Sequence, residues 1–397
     1  MKTWIDKIHR RIAIPILCSN EYVPDVAEWR SFLDSLKQPE DSIDIAYNKY
    51  LCRSHLFPRK QWTIMNILSC GALFISLFYM LFPGKALQPM KKGVALLEKD
   101  KDVTNFDDVL PTDIYKDYET VVVAENFNSK FGFLCKEAKR LLWKCIKRHP
   151  FSFYFNYFVY VELVAHSHFL LEYNSEATVV YVNERNVAGA IIREMYEDGG
   201  RKFISFMHGE YLLQLIQGYM SFSEYYVWAP AYIEMFEQDL NCKIGKYVVY
   251  TPQKLQKKWD FSDVEPTYFC TYYFSNESTK AIEKLAEVIK GFEAKGLKCK
   301  VRPHPRDVLM IKQILSSFQG ITIEDATKVT LQESLVSTKY VVGMTSTVLS
   351  EAYAEGKPIV IDDINDPEQY QSLRERKSAS LRKKHILLSE LVKQYCR

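Results

Sequence analysis

Between residues 268 and 361 the chain repeats one pattern: a short apolar run, a polar turn, an amphipathic stretch, then another apolar run. Strands that alternate with helices pair in parallel, because parallel neighbours need a crossover and antiparallel hairpins do not. The pattern therefore predicts a doubly wound parallel sheet with helices on both faces. Apolar runs at 268–274, 297–301, 321–323, 339–342 and 358–361 predict strands. The stretches 278–294, 308–317, 330–336 and 348–355 predict helices. In the first of these, Ala281, Ile282, Leu285, Val288, Ile289 and Phe292 fall at helical spacing, and Gly296 stands where a C-cap is expected.

Upstream the alternation is less regular. Strands are predicted at 120–124, 177–182, 202–207, 225–228 and 247–250, and helices at 26–36 and 188–196. Residues 93–118, rich in Lys and Asp, read as loop or surface. A chain of 397 residues predicts two domains. The polar stretch 251–266, with Pro252 and Pro266 near its ends, is the candidate linker and sets domains at 1–255 and 256–397.

At 47% hydrophobic and 25% charged residues, the composition excludes a wholly disordered or collagen-like chain. The nine cysteines form no CxxC pair and read as free thiols of a reducing compartment. The first residues lack an apolar core, so no secretory signal is expected. Residues 63–83 carry no charge, and their length matches the roughly 20 residues of a membrane span. Buried core and a membrane-inserted or membrane-lying helix both stay open for this stretch. From 130 to 148, Lys130, Lys136, Lys139, Arg140, Lys144, Lys147 and Arg148 face Glu137 alone, and seven aromatics follow within residues 151–160. This combination fits an anionic membrane surface or, equally, a helix packed on a sheet with its basic face in water. No nucleic-acid motif accompanies the charge.

Three constellations carry chemistry. Arg302-Pro303-His304-Pro305-Arg306 follows a predicted strand. His304 can donate to a phosphate oxygen, the prolines restrict the backbone around it, and Arg302 and Arg306 add bidentate donors. Thr345-Ser346-Thr347 precedes a predicted helix, where hydroxyls hold a phosphate or simply cap the helix. Glu351, one turn later, can bond a ribose hydroxyl or favour the helix start. His208-Gly209-Glu210 ends a first-domain strand. There Gly209 permits close ligand approach, and His208 and Glu210 are candidate general bases. Glu184 and Arg185, after the preceding strand, form a weaker substrate-binding cluster. No GxxxxGK[ST], GxGxxG or HExxH occurs, and neither a metal site nor a cofactor is expected.

The order strand–His-Gly-Glu, strand–Arg-Pro-His-Pro, strand–Gly-Met-Thr-Ser-Thr–helix–Glu-Gly-Lys-Pro resembles bacterial glycosyltransferases of the GT-B type over roughly residues 177–365. Within these it is most similar to bacterial sialyltransferases and capsular polysialyltransferases. The resemblance implies two Rossmann-like doubly wound domains facing a central cleft. It also implies that His304, Pro305 and Thr345–Thr347 hold the CMP of a nucleotide-activated sugar such as sialic acid. Transfer to a saccharide or lipid-linked glycan acceptor, inverting and metal-independent, in surface polysaccharide synthesis would follow. Those families place an acid before the glycine in the first domain, whereas here His208 precedes Gly209 and Glu210 follows it. That departure is similar to the CDP-glycerol glycerophosphotransferases of teichoic acid synthesis, which also carry a histidine in an Arg-x-His-Pro-like context. Their Asp-Tyr-Ser-Ser segment is not matched. A non-catalytic, membrane-associated assembly protein is the third reading. For the enzyme, a cytoplasmic position on the inner face of the cell membrane is expected.

Overall fold

The computed structural model describes residues 26–81, 86–87, 89–98, 120–124, 134–180, 186–207, 209–211, 213–252, 265–274, 279–304, 308–316, 318, 320–344, 346–376 and 378–396. The chain divides into two compact units. One comprises Met1–His208 and Leu213–Thr251, and the other Gly209–Leu212 and Pro252–Arg397. The predicted linker lies largely outside the described residues.

The first unit holds six parallel strands: β1 (Lys91–Glu98), β2 (Thr120–Ala124), β3 (Ser175–Val180), β4 (Lys202–Phe206), β5 (Ser221–Val227) and β6 (Lys243–Val249). Their order is β2-β1-β3-β4-β5-β6. Apart from its sixth strand, this is the 2-1-3-4-5 arrangement of doubly wound sheets. β1 corrects the expectation of a loop over residues 93–98, and the rest of that stretch, 99–118, lies outside the described residues. Val94-Ala95-Leu96-Leu97 is a continuous apolar run, as an interior parallel strand requires, but lysines and a glutamate flank it closely. Phe203, Phe222 and Tyr225 stack through the core, with centroids 5.4 and 5.3 Å apart.

The uncharged stretch is neither strand nor core throughout. It lies in one 22-residue helix, Arg59–Met80. Met65, Ser69 and Leu73 are buried, and the helix meets the helix Phe153–Glu172, where Asn66 Oδ1 accepts from the Tyr154 amide at 2.9 Å. Ile64, Ile67, Leu68, Phe74 and Phe78 lie on the opposite face, 39–67% exposed, and Leu81 just beyond the helix is 80% exposed. Among the described residues, no helix is long and apolar enough to cross a membrane. In the aromatic cluster Tyr154, Phe155 and Tyr160 are buried, Phe153, Tyr157 and Phe158 are half-buried, and Phe151 is 81% exposed. In the basic helix Lys136–Arg148, Arg140 pairs with Asp198 and Glu194, and Arg148 pairs with Asp41 and Asp44.

The second unit holds β7 (Tyr268–Phe274), β8 (Cys299–Pro303), β9 (Thr322–Ile323), β10 (Thr338–Gly343), β11 (Ile359–Ile361) and β12 (Ile386–Leu387). All pair in parallel, in the order β12-β11-β10-β7-β8-β9. Counted along the chain this is 3-2-1-4-5-6, the Rossmann order, with its switch point between β7 and β10. Each unit is thus a Rossmann-like α/β layer structure.

Alternation along β10 shows why the second sheet is covered twice. Val342 packs with Ile282, Leu285, Ile289 and Phe292 of the helix Thr279–Glu293. Val341 packs with Leu335, Leu349 and Ala352 of helices Leu331–Val336 and Val348–Ala354. Burying each such side chain stabilises the fold by about 1.5–3 kcal/mol. Gly296 adopts φ 75° after its helix, as the C-cap expectation requires. The Leu297 amide then bonds back to Phe292 O at 3.1 Å, which holds it at the helix end. Strand β8 consequently starts at Cys299, two residues later than predicted, and Arg302 and Pro303 belong to the strand itself.

Candidate functional site

The carboxyl ends of β8 and β10 flank the end of β7. Tyr273 is in register with both Arg302 and Gly343, and Phe274 with Pro303. Met344 leaves β10 at the level of Pro303, one residue before His304 leaves β8, and the two strands are two strand spacings apart, about 10 Å. Ligands of open parallel sheets sit beyond such ends, next to the switch point. His304 is exposed there. Pro305, Arg306 and Thr345 lie outside the described residues, as do His208, Glu184 and Arg185.

Arg302 faces the side of β8 that also carries Lys300. Its Nη1 donates to Glu324 Oε1 at 2.7 Å and to Val329 O at 2.9 Å. Lys300 Nζ donates to the other Glu324 oxygen and to Ser337 Oγ at 3.0 Å. Burial pushes the Glu324 carboxyl up, but hydrogen bonds from Lys300, Ser334 and Arg302 outweigh it and hold the group below the ordinary carboxylate value. One guanidinium nitrogen of Arg302 is therefore committed to the fold.

After β10 the chain turns at Ser346, whose Oγ accepts from the Val348 amide at 3.3 Å. Thr347 is the N-cap of Val348–Ala354 and makes no side-chain cap bond. A Cβ on Gly343 at the strand end would lie 3.2 Å from Tyr273 O, a tight approach that the bare glycine avoids. Glu351 is half-buried one turn into the helix. At the end of β11, burial pushes the Asp362 carboxyl up, although it accepts from the Ile364 and Asn365 amides and from Asn365 Nδ2 at 2.6 Å.

Gly209 and Glu210 group with the second unit. A Cβ on Gly209 would lie 3.6 Å from Thr347 Cγ2. The Glu210 carboxylate accepts from Ser350 Oγ and from Lys383 Nζ, and Lys383 Nζ lies 2.6 Å from Ser350 Oγ. The Glu210 and Lys383 side chains are 11% and 22% exposed. The structure thus brings Gly209, Glu210 and Thr347 together with two residues that sequence reasoning missed, Ser350 and Lys383. Lys383 stands in the ordinary basic run Arg382-Lys383-Lys384, and nothing local marks it.

No protein-family model and no curated protein matches the chain. Solved structures similar to it include the Methanocaldococcus jannaschii UDP-GlcNAc 2-epimerase in complex with UDP-GlcNAc and UDP (12% identity, 77% of this chain and 93% of that one, TM-score 0.43). The wall teichoic acid polymerase TagF, soaked with CDPG, is similar at 9% identity over 86% of this chain and 88% of that one, TM-score 0.42. The S. aureus MnaA–UDP structure is similar at 12% identity over 72% and 87%, TM-score 0.42. Likenesses this distant decide nothing about activity.

Proposed function

We propose that this chain is a GT-B-type transferase that takes a group from a nucleotide-activated donor and joins it to a saccharide or polymer acceptor. The supporting observation is that the His304 and Ser346–Thr347 segments leave the two strands flanking β7, beside the switch point of a Rossmann-ordered sheet. In this reading His304, Arg306 and the hydroxyls of Thr345, Ser346 and Thr347 hold the donor phosphate, with Pro305 fixing the direction of His304. Glu351 bonds the ribose, Arg302 braces the strand end, and Gly209, Glu184 and Arg185 line the acceptor side.

In this reading His208, directly before Gly209, serves as the base, and Glu210 is tied to Lys383 and Ser350 in this structure. His208 takes the acceptor hydroxyl proton while the acceptor oxygen bonds the donor centre. The bond from that centre to the departing phosphate breaks, and its electron pair leaves on the phosphate, stabilised by His304. For a sugar donor the centre is the anomeric carbon. For CDP-glycerol it is phosphorus, and CMP departs.

A histidine base preceding Gly209 favours the glycerophosphotransferase reading over the sialyltransferase one, whose base is an acid. Incubation with CDP-glycerol and with CMP-sialic acid, followed by product analysis, separates the two. A thermal-shift panel of CMP, CDP, UDP and GDP tests the shared claim, because a ligand that binds only the native state raises apparent stability. No shift with any of the four would overturn it.

The acceptor side of this reading includes a lipid surface. The exposed apolar face of Arg59–Met80 has no acidic residue, Arg59 and Lys60 stand exposed at its start, and Phe151 lies beside Asn66. An apolar stripe bordered by cations suits the interface of an anionic bilayer.

A further inference from the structure

We infer that Ser350 and Lys383 form an anion subsite that takes a phosphate group of the donor, and that the Glu210 carboxylate occupies its donors in this structure. The inference rests on the transferase reading above. Ser350 is buried, on the helix that follows β10, three residues beyond Thr347. Lys383 comes from the segment before β12, and its ammonium lies 2.6 Å from Ser350 Oγ. An ammonium and a hydroxyl converging on one point are complementary to a carboxylate or a phosphate oxygen, because both accept charge-assisted bonds.

Glu210 supplies the carboxylate here, from the connection between β4 and β5. The Lys383 side chain is 22% exposed, so water reaches one side of the subsite. A Cβ on Gly209 would lie 3.6 Å from Thr347 Cγ2, so the chain that carries Glu210 runs beside the Ser346–Thr347 segment that the proposed function gives to the donor. A phosphate drawn from there to Lys383 would compete with Glu210 for the same two groups.

The pair Glu210→Gln and Lys383→Met tests this by isothermal titration of the full chain with pyrophosphate, CDP and UDP at fixed ionic strength. Glu210→Gln keeps the side-chain size but removes the competing charge, and should tighten binding about threefold to tenfold. Lys383→Met should weaken it at least tenfold and cancel the gain in the double variant. Lys383→Arg keeps the charge and guards against misfolding, and it should retain most of the affinity. A Glu210→Gln variant that melts lower yet binds as the parent does would overturn the inference, since the trio would then be a structural latch. If the parent binds CDP or UDP and no variant alters the affinity, the subsite alone fails. If neither the parent nor Glu210→Gln binds any probe, the subsite and the donor reading fail together.

Discussion

The Arg302 guanidinium donates to Glu324 across 2.7 Å, Nη1 to Oε1, with the two side chains 10% and 6% exposed. Lys300 shares the same carboxylate. Removing that carboxylate leaves two cations short of a counter-charge inside the fold, a change that costs about 3–5 kcal/mol in buried pairs. Glu324→Gln should therefore lower the urea midpoint sharply with no change in slope, and an unchanged midpoint would refute it.

The same site predicts an acid limb. Glu324 is held below its ordinary value of 4.5, burial notwithstanding, by Lys300, Ser334 and Arg302. A carboxyl lowered in the folded state contributes stability that is full above the ordinary value and is lost as pH falls through the folded one. Burial pulls the Lys300 ammonium down in spite of its partner, but Lys300 stays charged in acid, so Glu324 governs there. Thermal melts of the parent should decline below about pH 4.5, and those of Glu324→Gln should decline less steeply. Parallel profiles would contradict this.

His304 is exposed at the end of β8. His304→Ala should leave the melting temperature within about 1 °C of the parent while weakening CDP or UDP binding roughly tenfold, the size of one hydrogen bond to a charged group. Equal affinity in titration would remove His304 from the donor site.

The stripe on Arg59–Met80 predicts sedimentation with vesicles containing anionic lipid at low salt, and less with neutral vesicles. Ile67→Glu combined with Phe74→Glu should abolish it without changing the far-UV spectrum, because both positions are exposed, at 66% and 67%. Concentration-dependent dimers that these substitutions dissolve, in a chain indifferent to vesicles, would assign the stripe to self-association instead.

Gly245 offers a test of packing in the first sheet. A Cβ there would lie 2.6 Å from Ser223 O on the neighbouring strand, with Arg193 Nη2 at 3.1 Å. The backbone oxygen cannot swing aside as a side chain does, so Gly245→Ala should cost about 1–3 kcal/mol, measured by denaturant unfolding. A neutral result would mean that the β5–β6 edge yields easily.

Legibility followed the range of the forces involved. β7 was readable to the residue because its run of aromatic and apolar residues, broken only by Thr271, is bounded by polar chain. β1 was hidden because four apolar residues between charged flanks look like surface. The aromatics at 154, 155 and 160 suggested a lipid surface, but their helix packs them inward, and only tertiary contact decides that. The candidate segments 302–304 and 346–347 were visible as local motifs. The ties of Arg302 to Glu324 and of Glu210 to Lys383 were not, since nothing near Lys383 announces a partner 173 residues away.

That separation bears on modularity. The second unit is not a contiguous cassette, because four residues, Gly209–Leu212, reach it from the middle of the other half of the chain. A fragment cut at Pro252 would lose the carboxylate that Lys383 now holds. A chimaera that exchanged the C-terminal half between homologous chains would need the matching tetrapeptide carried along with it.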